Sequence, residues 1–280
     1  MDTKDISIDR NIESNNERMP VLFTSHGNPM SIILSREEHS FWNELYRLGK
    51  ELRENYNIKA ALVVSAHWVT DGTLINIASE QKQIFDYYGF PEEYYKVEYK
   101  AKGAPDIAKR VKEVIPTVEE TTDWGLDHGA WPVLMHLFPK GDIPVFQLSI
   151  DNNASSDYHF KIGNRLKILR EQGILIIGSG SLIHNLSLLG EKYRNNDNTS
   201  FEWEAPYEAW IKEQIEKRNF ENLINYETSH PAGKLASPTP EHYIPLLYAL
   251  GLVEEEDTIS YFYEKSSNMP AFSESSFIIK

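Results

Sequence analysis

The chain has 280 residues, 41% hydrophobic and 12% aromatic, enough for a packed core in one large α/β domain or two small ones. A formal charge of −14 argues against nucleic acid and anionic membrane surfaces as partners, and the absence of cysteine removes disulfides, thiolate metal sites and a cysteine nucleophile. The polar N-terminus lacks an apolar h-region and no apolar run approaches ~18 residues, so a soluble, cytoplasmic protein with no membrane span is expected.

Residues 1–18 are rich in Asn, Asp and Glu and read as a flexible tail, leaving 19–280 as the folded domain. Met19 to Thr24 reads as the first strand, and His26-Gly27-Asn28-Pro29 then makes a tight turn. Phe41 to Tyr56 carries Leu45, Leu48 and Leu52 at helical spacing. Ala60 to Val64 is a buried strand, continuing through Ser65-Ala66 to His67 and Trp68. Leu74 to Ala78 is a further apolar run after the Asp71-Gly72 turn signal. The aromatic segment 84–99 reads either as a loop or edge strand with packing aromatics or as the wall of a substrate pocket. Pro105 to Val114 is helical with proline near its start. Asp127 to Trp131 forms a short polar-aromatic knot before an apolar helix, Val133 to Phe138. Ile143 to Ile150 reads as a strand, Tyr158 to Arg170 as a helix ended by Gly173, and Ile174 to Ile177 as another strand. Phe201 to Arg218 is a long helix. SPTPEHYIP (237–245) breaks into a helical turn carrying Glu241 and His242. Ile259 to Tyr263 and Ser276 to Ile279 close the chain as strands. With no repeat or linker, strands alternating with helices predict a single α/β domain with a mainly parallel central sheet.

Nine histidines hold the chemistry. His39, His136 and His159 lie in or beside predicted helices and read as surface or packing residues. The other six sit in junctions flanked by Gly, Ser, Pro or Trp, where sites are built on rigid scaffolds. A single strand-end histidine is better explained by core packing. Here, however, Val21–Phe23, Ala60–Val64 and Ile174–Ile177 each run toward one: His26, His67 and His184. Imidazole is a common ligand for zinc and iron, although no HExxH helix is present and the candidates are far apart in sequence. Gly178-Ser179-Gly180 follows a strand as a dinucleotide loop would, but Ile183 occupies the position of the third glycine. No phosphate-binding GxxxxGK[ST] loop or GxSxG elbow exists, so Ser179 and Ser181 read as turn formers rather than nucleophiles.

Taken together, SHGNP (25–29), SAHW (65–68), LDHGAW (126–131), GSGSLIHNL (178–186) and SHPAGKLASPTPEHYIP (229–245) resemble the class III extradiol ring-cleaving dioxygenases, in the branch similar to DOPA 4,5-dioxygenases. The motifs run in the family's order over nearly all of the chain after residue 18. The resemblance implies a single α/β domain with a non-haem divalent metal at the strand ends. It implies His26, His67, His184 and His242 as ligands, with Glu241 as a rival to His242. His128 matches a histidine beside the metal that works on oxygen activation and proton transfer; in more distant relatives a histidine near the metal also acts as base, which makes His184 a second catalytic candidate. His230 matches a substrate-pocket histidine, and Trp68, next to His67, is expected in the same pocket wall. The implied partners are a small aromatic diol and dioxygen, the implied product a muconic semialdehyde. Fe(II) is expected for ring cleavage and Zn(II) in the isolated protein. A zinc hydrolase using metal-bound hydroxide, or a non-enzymatic binding module, are the competing expectations.

Overall fold

The computed structural model describes residues 18–264 and 269–280; positions 1–17, which hold nearly all of the expected tail, lie outside the described residues. Arg18 is already tied down, its guanidinium donating to Glu256 at 2.8 Å and to Asp257 at 2.7 Å.

Six strands form the central sheet: β1 (Val21–Thr24), β2 (Ala60–Ser65), β3 (Val145–Gln147), β4 (Ile174–Ser179), β5 (Ile259–Tyr263) and β6 (Ser276–Ile279). Their order is β3-β2-β4-β1-β6-β5. The first three contacts are parallel and the last two antiparallel, giving the mainly parallel sheet that the sequence predicts. Every residue of β1, β2 and β4 is buried, as expected for strands covered on both faces. Alternation along each strand feeds two separate cores. Leu62, Val64 and Ile176 pack with helices 156–165 and 244–251 on one face. Ala61, Val63 and Ile177 pack with helices 40–55 and 131–137 on the other. Leu45, Leu48 and Leu52 are buried as their spacing requires.

Several elements differ from expectation. The apolar run 143–150 divides into β3 and a two-residue strand, Ile150–Asp151, which pairs instead with Val69–Thr70. The helix expected over 158–170 starts at Ser156, where Ser155 caps it, and breaks at Leu166 before resuming over Lys167–Glu171. Gly173 ends that stretch with φ +83. Segment 84–99 is a loop with one 3₁₀ turn, Glu92–Tyr95. The helix Ile244–Gly251 has no period to betray it, because all eight of its residues are buried. Among the described residues, no helix is long and apolar enough to cross a membrane.

Candidate metal centre

Thr24, Ser179 and Ser65 stand side by side in the parallel register of β1, β4 and β2. The carboxyl ends of these strands therefore share one edge, where open α/β sheets place their ligands. His26 and His67 each lie two residues beyond that row. The chain turns the same way at both: the Ser25 hydroxyl accepts from Gly27 N–H, and the Ser65 hydroxyl accepts from His67 N–H.

Beyond β4, the glycines serve close approach rather than phosphate binding. A Cβ on Gly178 would stand 2.4 Å from the Pro245 carbonyl oxygen, and one on Gly180 2.2 Å from that of His242. The His242 carbonyl accepts from Ser181 N–H at 2.8 Å, so the turn before helix 244–251 is pressed against the strand end. This brings His242 beside His184, the two rings stacked with centroids 3.5 Å apart.

Five imidazoles meet at this edge. The Nε2 atoms of His26 and His67 are 3.1 Å apart. The His242 ring lies 5.4 Å from that of His26 and 5.0 Å from that of His67. His128 packs 3.8 Å from His67. Ligand atoms of His26, His67 and His128 lie within 4.8 Å of one another, as do those of His184, Glu241 and His242.

The surrounding hydrogen bonds assign the tautomers. Ser179 donates its hydroxyl to the Gly129 carbonyl, so it accepts from His26 Nδ1–H at 3.1 Å. Asp86 accepts from His128 Nδ1–H at 2.8 Å and faces His67 Nδ1 at 3.4 Å. Glu241 accepts from His242 Nδ1–H at 3.1 Å. In His26, His128 and His242 this leaves Nε2 with the bare lone pair, and that of His242 is buried with no hydrogen-bond partner among the described residues. Burial, reinforced by neighbouring imidazoles, holds His26 and His242 well below the usual histidine range. Burial pushes His67 down to about 3 and His184 to about 4. Burial opposes the Asp86 charge, yet the hydrogen bonds and charge of His128 outweigh it and keep the carboxyl below its ordinary value. Burial disfavours the charged form of these imidazoles, so they offer neutral ring nitrogens to the shared centre. They fit a divalent cation, with carboxylates orienting the ligands from behind.

Asp86 carries no sequence motif. Its only mark is being the lone acid among the aromatics Phe85, Tyr87, Tyr88 and Phe90. Asp127, fully buried and pushed up to about 6 mainly by that burial, knits the knot around His128. It accepts from Ser65, Gly129, Ala130 and the Trp124 indole.

A cavity of about 300 Å³ opens over the histidines, walled on its remaining sides by Tyr87, Tyr88, Phe90, Leu186 and Phe272 among others. Segment 84–99 thus serves as pocket wall in part, while Phe85 and Tyr95 pack against each other behind it. Two expected pocket residues lie elsewhere. Trp68 is 2% exposed and stacks flat on Trp124, so its apolar surface is spent in the core instead of on the cavity. His230 packs against both Tyr207 and Trp210, its Nδ1 accepting from Ala232 N–H. Neither borders the cavity. His39, His136 and His159 stay out of the site as expected; His136 stacks on Trp42.

A mainly parallel α/β sheet with neutral histidines converging at its strand ends beside a small aromatic-walled cavity defines a metal-dependent enzyme of small molecules. Residues 20–276 match the family described as the catalytic LigB subunit of aromatic ring-opening dioxygenase, and the chain belongs to that family. It is an extradiol dioxygenase, acting on an aromatic substrate with dioxygen. It is 36% identical over 257 residues to the 4,5-DOPA dioxygenase extradiol of Escherichia coli (strain K12), covering 90% of this chain and 91% of that protein. The Beta vulgaris protein of the same name is 36% identical over 238 residues, covering 83% and 86%. A crystal structure of an uncharacterised protein from Escherichia coli K12 superposes with a TM-score of 0.78 at 33% identity, covering 94% of this chain and all of that one.

Proposed function

We propose that the chain opens the ring of a DOPA-like catechol at one divalent metal held by His26, His67, His184 and His242. The convergence of the His26 and His67 Nε2 atoms, 3.1 Å apart at the strand ends, carries this conclusion. Glu241 is better used behind His242 than as a ligand in its place, since it engages Nδ1 and leaves Nε2 inward. When bound, a redox-active ion there acidifies the diol hydroxyls and gives electrons a route from ring to dioxygen.

The chain's own residues do the rest. His128, with Nδ1–H fixed by Asp86, presents Nε2 to take a proton from a diol hydroxyl and return it to the oxygenated product. Tyr87, edge-on to His128 at 5.6 Å, and Phe90 and Phe272 give the substrate ring an apolar slot that keeps water from the histidines. The names of the Escherichia coli and Beta vulgaris relatives support a DOPA-like substrate, and the family assignment favours ring opening over the hydrolase and non-enzymatic readings.

The test is to strip the metal, reload with Fe(II) or Zn(II) without air, add L-DOPA or simpler catechols, and admit oxygen. A yellow semialdehyde is expected with iron alone, because zinc has no accessible redox chemistry. Equal turnover with zinc would overturn the iron assignment, and no product from any catechol would overturn the substrate class.

A further inference from the structure

Tyr88 is 90% exposed and Leu186 is 62% exposed, yet both line the histidine cavity. Tyr88 follows Asp86 by two residues and Leu186 follows His184 by two. Each is the first exposed residue after the histidine cluster on its segment, because Tyr87 and Asn185 are buried. The other aromatics around Tyr88 are fixed. Tyr87 donates its hydroxyl to the Tyr94 carbonyl, and Phe90 packs on Tyr87 and Tyr94. Gly89 next to it has φ +83 and open space about it. A large apolar pair left in water at the rim of a catalytic cavity has contact area to give an incoming ligand.

We infer that Tyr88 and Leu186 form an outer subsite that selects catechols bearing an apolar-stemmed substituent on the ring carbons remote from the diol. The inference rests on the ring-opening reading above. The histidine floor takes the diol, so the far side of the ring faces the mouth. There the neighbouring wall is also apolar, with Phe90, Met269 and Phe272.

The experiment compares 4-propylcatechol with unsubstituted catechol on the iron-loaded protein, as wild type, Tyr88→Ala, Tyr88→Phe and Leu186→Ala. The ratio of kcat/KM for the propyl compound to that for catechol should fall roughly 5–10-fold in both alanine variants, through KM, the usual worth of one aromatic or aliphatic contact. Tyr88→Phe should keep the wild-type ratio. Anaerobic calorimetry of the same two ligands gives the same comparison without turnover. Unchanged ratios, or parallel losses on both ligands, would overturn the subsite while leaving ring opening intact. Failure of the wild type to bind either diol would overturn both.

Discussion

His128 owes its orientation to a single carboxylate that also faces His67, so Asp86 couples the proposed acid–base group to the proposed ligand cluster. His128→Ala should leave metal content near wild type while lowering turnover by about 10²–10⁴-fold, the range for a positioned acid or base. Metal analysis beside single-turnover kinetics checks this, and loss of metal would make His128 a ligand. Outside the site, burial pushes His136 down to about 3 and His159 to about 4. Above pH ~6.5 both are neutral folded and unfolded, and they add nothing to the pH dependence. Below it the unfolded chain takes up protons that the folded chain refuses. Stability therefore falls as pH falls, by up to about 1.4 kcal/mol per histidine per pH unit, until the folded-state values are reached. Neither nitrogen of His136 has a hydrogen-bond partner among the described residues, so His136→Phe should cost less than about 1.5 kcal/mol at pH 7. It should also remove up to one proton from the slope of urea stability against pH between 6.5 and 4.5.

Helix 244–251 is the element on which the site turns, because its docking against β4 delivers His242. Gly180 is the contact that permits it. Gly180→Ala should push the His242 turn outward, costing about 1–3 kcal/mol as an overpacked position and weakening metal binding with it. Gly190→Ala is the matched control: it lies within helix 186–194, where the nearest atom to a new Cβ is the Arg194 guanidinium at 3.4 Å. That change should be neutral or stabilising by up to about 1 kcal/mol. Urea melts and metal titration of the two variants separate a local packing effect from a general one.

At the scale of the molecule, fully buried Arg170 joins distant parts of the chain. It donates to the carbonyls of Met19 and Leu252 and makes a two-point pair with Asp257 at 2.6 and 3.0 Å. The entry to β1, the exit from helix 244–251 and the approach to β5 thus meet on one guanidinium. Arg170→Met should destabilise by about 3 kcal/mol, since it leaves the buried Asp257 carboxylate with partly exposed Arg18 as its counter-charge and the Glu254 N–H as its remaining donor among the described residues. A chemical melt reads the loss, and an unchanged midpoint would show the pair to be dispensable.

The short continuous apolar runs 60–64 and 174–177, carrying β-branched Val63, Val64, Ile174, Ile176 and Ile177, pointed to buried strands by themselves, since a sheet covered on both faces hides every residue of such a run. The turn-flanked histidines were legible for the same local reason: Ser, Gly and Pro mark where strands end. What tertiary structure alone decided was which side chains share the cavity. Asp86 reaches His128 from 42 positions away through a loop without periodicity. Trp68, adjacent to His67 in sequence, turns instead into a stack with Trp124. Sequence neighbourhood fixes where a strand stops, but the direction of a side chain beyond it follows from long-range packing that no local pattern encodes.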